Sequence, residues 1–525
     1  MVERKKIIKA LGIILLFLSV STLLNFRIEN ILEPDSLYHI RHAWLYRTTG
    51  FFDSSFPWTQ FSAVRTMGAD LWYGFHILLV PLTYISDPAL AVKMGGFVIT
   101  FLVLISCYWA FRNLGIKFPE MWSIFFLLSS PAIMQRMTFT RPHPLSLALM
   151  ALIFSFFFSG SAAMIFVCSF ILSWIHSAVF WLPLIVGGFI AVFNKLGKQK
   201  LEPSKFVALV AGVAAGLFAR PNPIANLKLV YIQIVDLYLS KGYELAQTIG
   251  GELRPPTWES TYSQKWLFVL LAASLIYLGK YFYKKYSLDE NGRAILLSSG
   301  ALIVFSALMY ATAKRAIDQL GIFAVIFIGS VFTLLPTFRK SRFVVNFFII
   351  FALSVSVYNL INPNFGPAHS PTKFKVSALW LKENTNQGDI VSHLNWSHFP
   401  FLFFWNQHNY YIYGMDPVFL LKYDEKLYWE LYNMLVNEND KKRYWNFLDV
   451  AGDVRGLTCP NDPKQCGPEN IKKIPEVLRD DFKASYVFVI NKTSLSNYLE
   501  KDNKNFQKVY EDKIDNASIY KILEK

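Results

Sequence analysis

Long apolar runs recur along the first 361 residues of the chain, and they constrain its fold more than any other feature. The hydrocarbon core of a bilayer is about 30 Å thick, and a helix needs about 20 residues to cross it. A helix also satisfies its own backbone polar groups in lipid. The sequence therefore predicts a polytopic α-helical membrane protein with roughly 11 transmembrane helices. We place them near residues 7–24, 89–111, 119–134, 143–159, 161–176, 178–194, 205–219, 264–283, 293–311, 318–336 and 343–361.

Composition and charge agree with this class of protein. Hydrophobic residues make up 53% of the 525 residues and charged residues only 17%, whereas soluble domains are about one quarter charged. The chain carries 52 Lys and Arg against 37 Asp and Glu, and residues 370–525 hold 21 of each sign. The net charge of +15 therefore belongs to residues 1–369, where it flanks apolar runs. This distribution indicates membrane topology and argues against a nucleic-acid partner.

Basic connections between the runs predict the orientation of the protein. Lysines and arginines cluster near residues 195–205, 280–293 and 339–342. Because cytoplasmic loops are enriched in these residues, we expect the three connections and the N-terminus to be cytoplasmic. The long loops near 25–88 and 220–263 and the C-terminal region are then extracytoplasmic. The expected location is the plasma membrane.

Residues 370–525 predict a separate extracytoplasmic α/β domain, following a transmembrane domain at 1–369. The runs Asp389–His393, Tyr410–Tyr413 and Ser485–Ile490 have the pattern of short buried strands, with helical stretches between them. Cys459 and Cys466 bracket the segment PNDPKQ, which is short enough for a disulfide in an oxidising compartment. A metal site at these cysteines is the alternative.

The first long loop opens with a dense polar segment, EPDSLYHIRH. It contains Glu33, Asp35, His39, Arg41 and His42 beside apolar sequence, where buried polar groups require partners. Carboxylates and imidazoles suit a divalent metal such as Mg or Mn, and arginine suits a phosphate. The segment therefore predicts a functional site with Asp35 at its centre. An ordinary hydrated loop is the alternative.

Two histidines lie at the predicted outer ends of other spans. His143 begins a span after Arg141 in the turn QRMTFTRPHP, and His176 ends the turn in SWIHSAVFW. Singly, each pattern is typical of a hydrogen-bonded interfacial histidine. Together with Asp35 they map to the predicted outer leaflet, where a metal or an anion site could assemble. Arg141, His143 and His176 are therefore candidate site residues, with Asp35 and His143 as candidate metal ligands.

Lys314 and Arg315 form a basic pair at the predicted outer end of a span, in ATAKRAID. Such charges are costly at a membrane edge unless they are paired or functional. Because arginine matches phosphate oxygens bidentately, the pair predicts binding of an anionic lipid headgroup. A snorkelling interfacial pair is the alternative.

Glu252 is the acidic residue of TIGGELRPPTW, in the second long loop. Gly-Gly and Pro-Pro on its two sides are typical of a loop that connects structural elements. Mobile loops of this kind often close over substrates, so Glu252 is a candidate site residue. A purely structural loop is equally compatible with the composition.

These segments together resemble the catalytic subunit of oligosaccharyltransferase, within the GT-C superfamily of polytopic glycosyltransferases. PDSLYHIRH is similar to the family's first acidic motif and TIGGELRPPTW to its external-loop motif. Lys314-Arg315 falls where the family keeps an arginine for the phosphate of its lipid-linked donor. The segments ALWLKENTNQGDIV and NWSHFPFLFFWNQHNYYIYGMDP resemble the opening of its external C-terminal domain. The resemblance implies catalytic roles for Asp35 and Glu252 and donor-phosphate binding by the basic pair, to which we add Arg41.

Two departures from the family pattern bear on metal and acceptor. The second acidic motif is replaced by Arg141-Pro142-His143-Pro144, and the acceptor-reading motif Trp-Trp-Asp-Tyr-Gly by NWSHF at residues 395–399. The resemblance implies a membrane glycosyltransferase that moves a sugar from a polyprenyl-phosphate-linked donor to an acceptor glycan, lipid or protein. A divalent metal cofactor stays open. Protein N-glycosylation and a non-catalytic lipid-binding or transport protein on the same scaffold are the alternatives.

Overall fold

Two compact units make up the protein. A computed structural model describes residues 2–196, 200–240, 250–283, 288–334, 342–363, 366–434, 457–460 and 468–524. The helical unit comprises Met1–Glu33, Trp72–Arg220 and Glu252–Ala368, and the mixed unit comprises Pro34–Leu71, Pro221–Gly251 and His369–Lys525. The sequence predicts one boundary near residue 369. In the structure, residues 34–71 and 221–251 of the two predicted loops also group with the C-terminal region.

Helices dominate the described chain, and strands are confined to the C-terminal region. The α-helices, in chain order, are α1 (Val2–Phe26), α2 (Asp35–Thr49), α3 (Ala63–Met67), α4 (Tyr73–Leu79), α5 (Pro88–Asn113), α6 (Pro119–Leu128), α7 (Pro131–Met137), α8 (Pro142–Ser159), α9 (Ala162–Ile175), α10 (Trp181–Leu196), α11 (Pro203–Phe218), α12 (Pro223–Tyr231), α13 (Trp258–Tyr262), α14 (Lys265–Tyr283), α15 (Glu290–Thr312), α16 (Ile317–Leu334), α17 (Arg342–Ile361), α18 (Lys375–Asn384), α19 (Phe399–Trp405), α20 (Val418–Leu421), α21 (Glu425–Asn433), α22 (Ile474–Glu476) and α23 (Ser494–Lys501). The strands are β1 (Ile390–Ser392), β2 (Tyr410–Tyr411), β3 (Leu457–Thr458), β4 (Lys472–Lys473), β5 (Tyr486–Ile490), β6 (Phe506–Asp512) and β7 (Ala517–Ile522).

Local signals in the sequence explain where many helices begin. Proline opens α5, α6, α7, α8, α11 and α12, where its missing N–H removes no helical hydrogen bond. Capping side chains act at other starts: Ser130 accepts from the N–H of Ile133, and Asp289 accepts from that of Gly292. The membrane helices are therefore delimited by turn chemistry as well as by hydrophobicity.

Several apolar helices of the helical unit could cross a membrane. Among the described residues, six segments are long and apolar enough, and a bent pair would bring the number to seven. Some predicted spans are shorter helices, because α6 ends before Pro131 and α9 ends before His176. A membrane protein is therefore supported, while the number of roughly eleven spans and the orientation stay predictions. The six are Arg4–Phe26, Pro88–Asn113, Pro142–Ser159, Ser177–Leu196, Glu290–Thr312 and Lys314–Thr333.

Two glycines let α11 pack closely against α9. A Cβ on Gly212 would overlap the carbonyl oxygen of Phe166, and a Cβ on Gly216 would overlap that of Phe170. Small residues spaced by four are a common solution for close helix packing in membranes. The guanidinium of Arg220 then donates from Nη2 to the oxygen of Trp174 at 2.9 Å, at the C-terminal end of α9. These contacts fix the end of α9, which leads into His176.

The mixed unit contains a five-stranded sheet in the order β2-β1-β5-β7-β6. The pairs β1–β2 and β1–β5 are parallel, and the pairs β5–β7 and β6–β7 are antiparallel. The strands predicted from the runs at 389–393, 410–413 and 485–490 are confirmed as β1, β2 and β5. The hairpin of β6 and β7 lay outside the prediction. Buried side chains of α21, α23 and the sheet form its core, among them Leu431, Val487 and Leu499.

Candidate functional site

Three arginines of the helical unit surround the carboxylate of Glu252. Arg136 donates from Nη1 to Glu252 Oε2 at 2.6 Å, while Nη1 of Arg141 and Nη1 of Arg315 each lie 3.8 Å from Oε1. We call Arg136, Arg141 and Arg315 the guanidinium cluster. Glu252 lies in a 3₁₀ turn, Gly251–Leu253, so a short loop carries the carboxylate on which the cluster converges.

Arg136 binds a second carboxylate as well. Its Nε donates to Asp318 Oδ2 at 2.8 Å, and the side chains of Arg136 and Asp318 are 14% and 4% exposed. Arg136 lies in the last turn of α7 and Asp318 in the first turn of α16, the helix ends that favour a cation and an anion respectively. Sequence reasoning singled out neither residue. The available signals were an acidic residue at the edge of an apolar run and an arginine five positions before Arg141.

Arg141 connects the cluster to the end of the first helix. Its Nη2 lies 3.0 Å from Oε1 of Glu33, which follows α1. Arg141 is also the residue at the N-terminal boundary of α8, with extended backbone angles. The structure thus brings together Glu33, Arg141, Glu252 and Arg315, which the sequence selected from four separate segments.

The charges around Glu252 keep it ionised. Burial alone would raise the pKa of this carboxyl, but the charges of Arg136, Arg141 and Arg315 and the hydrogen bond from Arg136 outweigh burial. The pKa of Glu252 is therefore well below its ordinary value. Glu252 is a permanent counter-ion for the guanidinium cluster at physiological pH.

Lys314 and Arg315 lie in a 3₁₀ turn, Lys314–Ala316, that leads into α16. The N–H of Lys314 donates to the carbonyl of Arg254 at 2.9 Å, which ties this turn to the loop of Glu252. The Lys314 side chain is exposed, and that of Arg315 is 30% exposed. The three arginines of the cluster contact the three carboxylates of Glu33, Glu252 and Asp318, so Lys314 adds a positive charge beyond that balance.

A small cavity of about 30 Å³ adjoins the guanidinium cluster. A space of this size holds a water molecule or a single hydroxyl group. Charged and imidazole groups line it together with apolar side chains. The polar lining residues are Arg136, His143, Ser146, His176, Arg315, Asp318 and Gln319.

Hydrogen bonds assign the tautomers of the two histidines in this cavity. His143 Nε2 lies 3.1 Å from the carbonyl oxygen of Arg136, which can only accept, so Nε2 carries the hydrogen. Ser146 donates its single hydroxyl hydrogen to the Pro142 carbonyl at 3.0 Å and therefore accepts from His176 Nδ1, also at 3.0 Å. The remaining nitrogens, His143 Nδ1 and His176 Nε2, are hydrogen-bond acceptors.

The other predicted site residues belong to the mixed unit. Asp35 is half-buried in the first turn of α2, and His39 and His42 are buried on the same helix. His42 Nδ1 lies 2.9 Å from the Tyr38 hydroxyl, and its Nε2 lies 3.8 Å from Asp70 Oδ2. His42 is thus held within the core of this unit.

Arg41 has a different environment from that of its neighbours on α2. Its guanidinium carbon lies 4.9 Å from the ring centroid of Trp44 and 4.6 Å from that of Phe404. Burial and the charge of Arg47 lower the pKa of Arg41 to about 10. The side chain therefore remains a cation that stacks on aromatic rings.

The donors available to a divalent metal differ between the two units. In the helical unit, Glu252 and Asp318 already accept from Arg136, and Nε2 of His143 donates to a carbonyl. Three nearby guanidinium groups would also repel a cation. In the mixed unit, Asp35 and His39 are four residues apart on α2 and share a helix face, which offers one carboxylate and one imidazole. Carboxylate and imidazole are ligand types that divalent metals accept, and the predicted roles of Asp35 and His143 as ligands stay predictions.

Only one cysteine of the predicted disulfide lies among the described residues. Cys459 is buried and disulfide-bonded. Cys466, the partner that the sequence predicts, lies outside the described residues, as do Thr248 and Ile249 of the Glu252 loop. Cys107 and Cys168 are free thiols in the core of the helical unit.

Comparison with solved structures finds membrane glycosyltransferases. The arabinofuranosyltransferase AftD from Mycobacteria matches with a TM-score of 0.55 and 13% identity, over 98% of this chain and 40% of that chain. The archaeal oligosaccharyltransferase AglB from Archaeoglobus fulgidus, in complex with an inhibitory peptide and a dolichol-phosphate, matches with a TM-score of 0.58 and 12% identity. That match covers 91% of this chain and 69% of AglB. The chain thus spans about 40% of the length of AftD.

Sequence comparison adds no closer relative. No family model matches the chain, and no curated protein matches it. At 12–13% identity, the likeness to AftD and AglB shows the fold. The resemblance to the GT-C glycosyltransferases that the sequence predicted is therefore confirmed at the level of the fold.

Proposed function

We propose that the protein is a GT-C-type membrane glycosyltransferase that takes a sugar from a polyprenyl-phosphate-linked donor. The observation that carries this proposal is the basic pair Lys314–Arg315, held beside Glu252 with Lys314 exposed. An exposed cation next to a preorganised guanidinium is the arrangement that a phosphate group requires. The GT-C fold supports the assignment at the level of the reaction class.

The proposed step is a displacement at the anomeric carbon of the donor sugar. The oxygen of an acceptor hydroxyl forms a bond to this carbon while the bond from the carbon to the phosphate oxygen breaks. The electron pair of the broken bond stays on the phosphate, which gains a negative charge. Lys314 and Arg315 would stabilise that developing charge, because Glu252 lies beside Arg315 and the backbone of Lys314 is tied to Arg254 before the reaction.

The acceptor proton requires a base, and we assign this role to Asp35. Its carboxylate is half-buried at the start of α2, and it would take the proton directly from the acceptor hydroxyl. If a divalent metal binds, Asp35 and His39 would hold it, and it would supply Lewis-acid polarisation of an oxygen.

Glu252 receives a positioning role in this proposal. The sequence resemblance implied a catalytic residue at this position, yet both of its oxygens lie close to guanidinium groups. Glu252 would therefore hold Arg315 in place for the phosphate. His143 and His176 line the adjacent cavity, and their acceptor nitrogens would receive a hydroxyl of the donor sugar.

The proposal also names the classes of donor and acceptor that the protein uses. The solved AglB complex contains a dolichol-phosphate, which favours a polyprenyl-phosphate donor here. It also contains a peptide, which favours protein N-glycosylation as the second candidate function. A glycan or lipid hydroxyl is our first choice of acceptor, because NWSHF replaces the acceptor-reading motif in this chain.

The test is transfer from a radiolabelled polyprenyl-phosphate sugar by the purified full chain. We expect Arg315→Gln to lower the rate about 100- to 1000-fold, since this is the usual effect of removing one preorganised donor. Asp35→Asn should have an effect at least as large. Lys117→Gln, an exposed cation in another loop of the helical unit, is the matched control.

Two outcomes would decide against parts of this proposal. Transfer by Arg315→Gln at the rate of the wild type would reject the phosphate assignment. Transfer to peptides with an Asn-X-Ser/Thr sequon, in preference to glycan or lipid acceptors, would replace our first choice with protein N-glycosylation.

A further inference from the structure

Arg41 is a stacked cation in the mixed unit for which no acidic partner is found among the described residues. Its guanidinium lies against Trp44 and Phe404, and the Nε atom is buried without a hydrogen-bond partner in the described structure. An aromatic face contacts a guanidinium from above or below. The N–H groups, which point outward in the guanidinium plane, therefore still require acceptors.

A second cation, Lys375, contacts the ring of Trp405, which follows Phe404 on α19. The rings of Phe404 and Trp405 are 5.0 Å apart, and Nζ of Lys375 lies 4.5 Å from the centroid of Trp405. The charge of Arg47 also acts on Arg41 with the same sign. The surroundings of Arg41 are thus aromatic and positive, and a half-buried cation in such surroundings is costly without an anion.

We infer that Arg41, held against Trp44 and Phe404, binds a phosphate or carboxylate group of a substrate. Contacts with both rings hold the guanidinium in place, and its planar fork can offer two parallel N–H donors to two oxygens of one anion. This site belongs to the mixed unit, whereas Lys314 and Arg315 belong to the helical unit. Anion binding at Arg41 does not depend on the proposed transfer reaction. If that reaction holds, the anion is a group on the acceptor.

The experiment measures thermal unfolding of the full chain in a non-ionic detergent with added inorganic phosphate, pyrophosphate or acetate. Chloride keeps the ionic strength constant, because screening alone shifts the stability of charged sites. An anion that binds the folded state raises the melting temperature by mass action. We use Arg315→Gln as the background, so that binding at the basic pair does not contribute.

In this background we expect phosphate or acetate to stabilise the chain, and Arg41→Gln to weaken the apparent affinity at least tenfold. Arg41→Lys keeps the charge but loses the planar fork, so it should also bind more weakly. Lys382→Gln, an exposed cation of the mixed unit, is the control and should leave the affinity unchanged. Equal anion stabilisation with and without Arg41 would overturn the inference.

The melting temperature of Arg41→Gln without added anion shows whether this variant folds. If it does not fold, the anion affinity of Arg41→Lys is measured instead. The preference of the site between phosphate and acetate identifies the type of anion. In a transfer assay, Arg41→Lys should raise the KM of whichever substrate carries that group, and unchanged KM values for both substrates would contradict the inference. Because the binding experiment needs no turnover, it can succeed even if the transfer reaction is never observed.

Discussion

Nη1 of Arg136 lies 2.6 Å from Oε2 of Glu252, so a charge-assisted hydrogen bond fixes the loop of Glu252 to the end of α7. The other end of the same guanidinium binds Asp318 at the start of α16. One half-buried arginine thus connects two helices and a loop of the helical unit. The position of Arg315 depends on this connection, because Arg315 shares the carboxylate of Glu252.

Removal of Arg136 should therefore destabilise the protein more than removal of Glu252. Arg136→Gln leaves two carboxylates without their main partner, one of them almost fully buried, and breaking a buried ion pair typically costs about 3–5 kcal/mol. Glu252→Gln keeps a hydrogen-bond acceptor at a side chain that is 34% exposed, so we expect a loss of about 1–3 kcal/mol. Thermal unfolding of the purified variants measures both effects.

Glu259→Gln is the matched control for this pair of variants, because Glu259 is exposed and lies on the short helix α13. Its melting temperature should stay close to that of the wild type, since exposed substitutions change stability by about 0.5 kcal/mol or less. The opposite ranking, with Glu252→Gln the less stable variant, would show that the arginine does not organise the cluster.

Because α11 packs closely against α9, the addition of one methyl group at their contact should lower the stability of the protein. Gly216→Ala would place a Cβ against the carbonyl oxygen of Phe170 and 3.0 Å from the Cβ of Ser173. Forcing extra volume into a close contact typically costs about 1–3 kcal/mol. The end of α9 would also move, and with it His176, so transfer activity should fall together with the melting temperature.

Gly188→Ala tests whether the effect comes from packing. Gly188 lies in α10, and a Cβ there would meet nothing within 4 Å. Alanine stabilises a helix interior by about 0.5–1 kcal/mol relative to glycine, so this variant should be as stable as the wild type or slightly more stable. A melting temperature equally lowered in both variants would contradict the close packing of α9 and α11.

The sequence could predict the fold class because its signals are local. A run of apolar residues, a proline at a helix start and a short β-branched run each act within about 20 residues. The number of spans was harder to predict, since continuous apolar sequence from 119 to 134 contains the break between α6 and α7. Serine and proline inside an apolar run divide a helix, although the run as a whole stays apolar.

The sequence predicted some members of the candidate site, but it predicted neither Arg136 and Asp318 nor the pairing of the charges. Arg141 and Arg315 stood out as charges at the edges of apolar runs, and Glu252 as the acidic residue of a loop flanked by glycines and prolines. Arg136 contacts Asp318 across 182 positions and Glu252 across 116 positions of the chain. Pairing over such separations depends on how helices pack, which residue spacing does not encode. The positioning role that we propose for Glu252 likewise rests on partners that are known only from the folded structure.

The mixed unit should lose stability in mild acid because of His393. This histidine is 1% exposed, and its Nε2 lies 2.7 Å from the carbonyl oxygen of Tyr413. Burial lowers the pKa of His393 from its ordinary 6.5 to about 4, and it outweighs the carbonyl oxygens of Tyr413 and Asn395, which raise this pKa. Between these pH values the unfolded chain binds a proton at His393 that the folded chain does not, so stability falls as the pH drops.

The expected loss is about 2 kcal/mol between pH 8 and pH 5 and reaches about 3 kcal/mol below pH 4, at about 1.4 kcal/mol for each pKa unit. Melting temperatures of the full chain at pH 8 and pH 5 measure it. In His393→Gln, the loss of stability between pH 8 and pH 5 should be smaller by about 2 kcal/mol, because glutamine does not titrate. His408→Gln, in the same unit, is the control and should keep the difference. If the pH dependence of His393→Gln matched that of the wild type, the loss in acid would have to come from other groups.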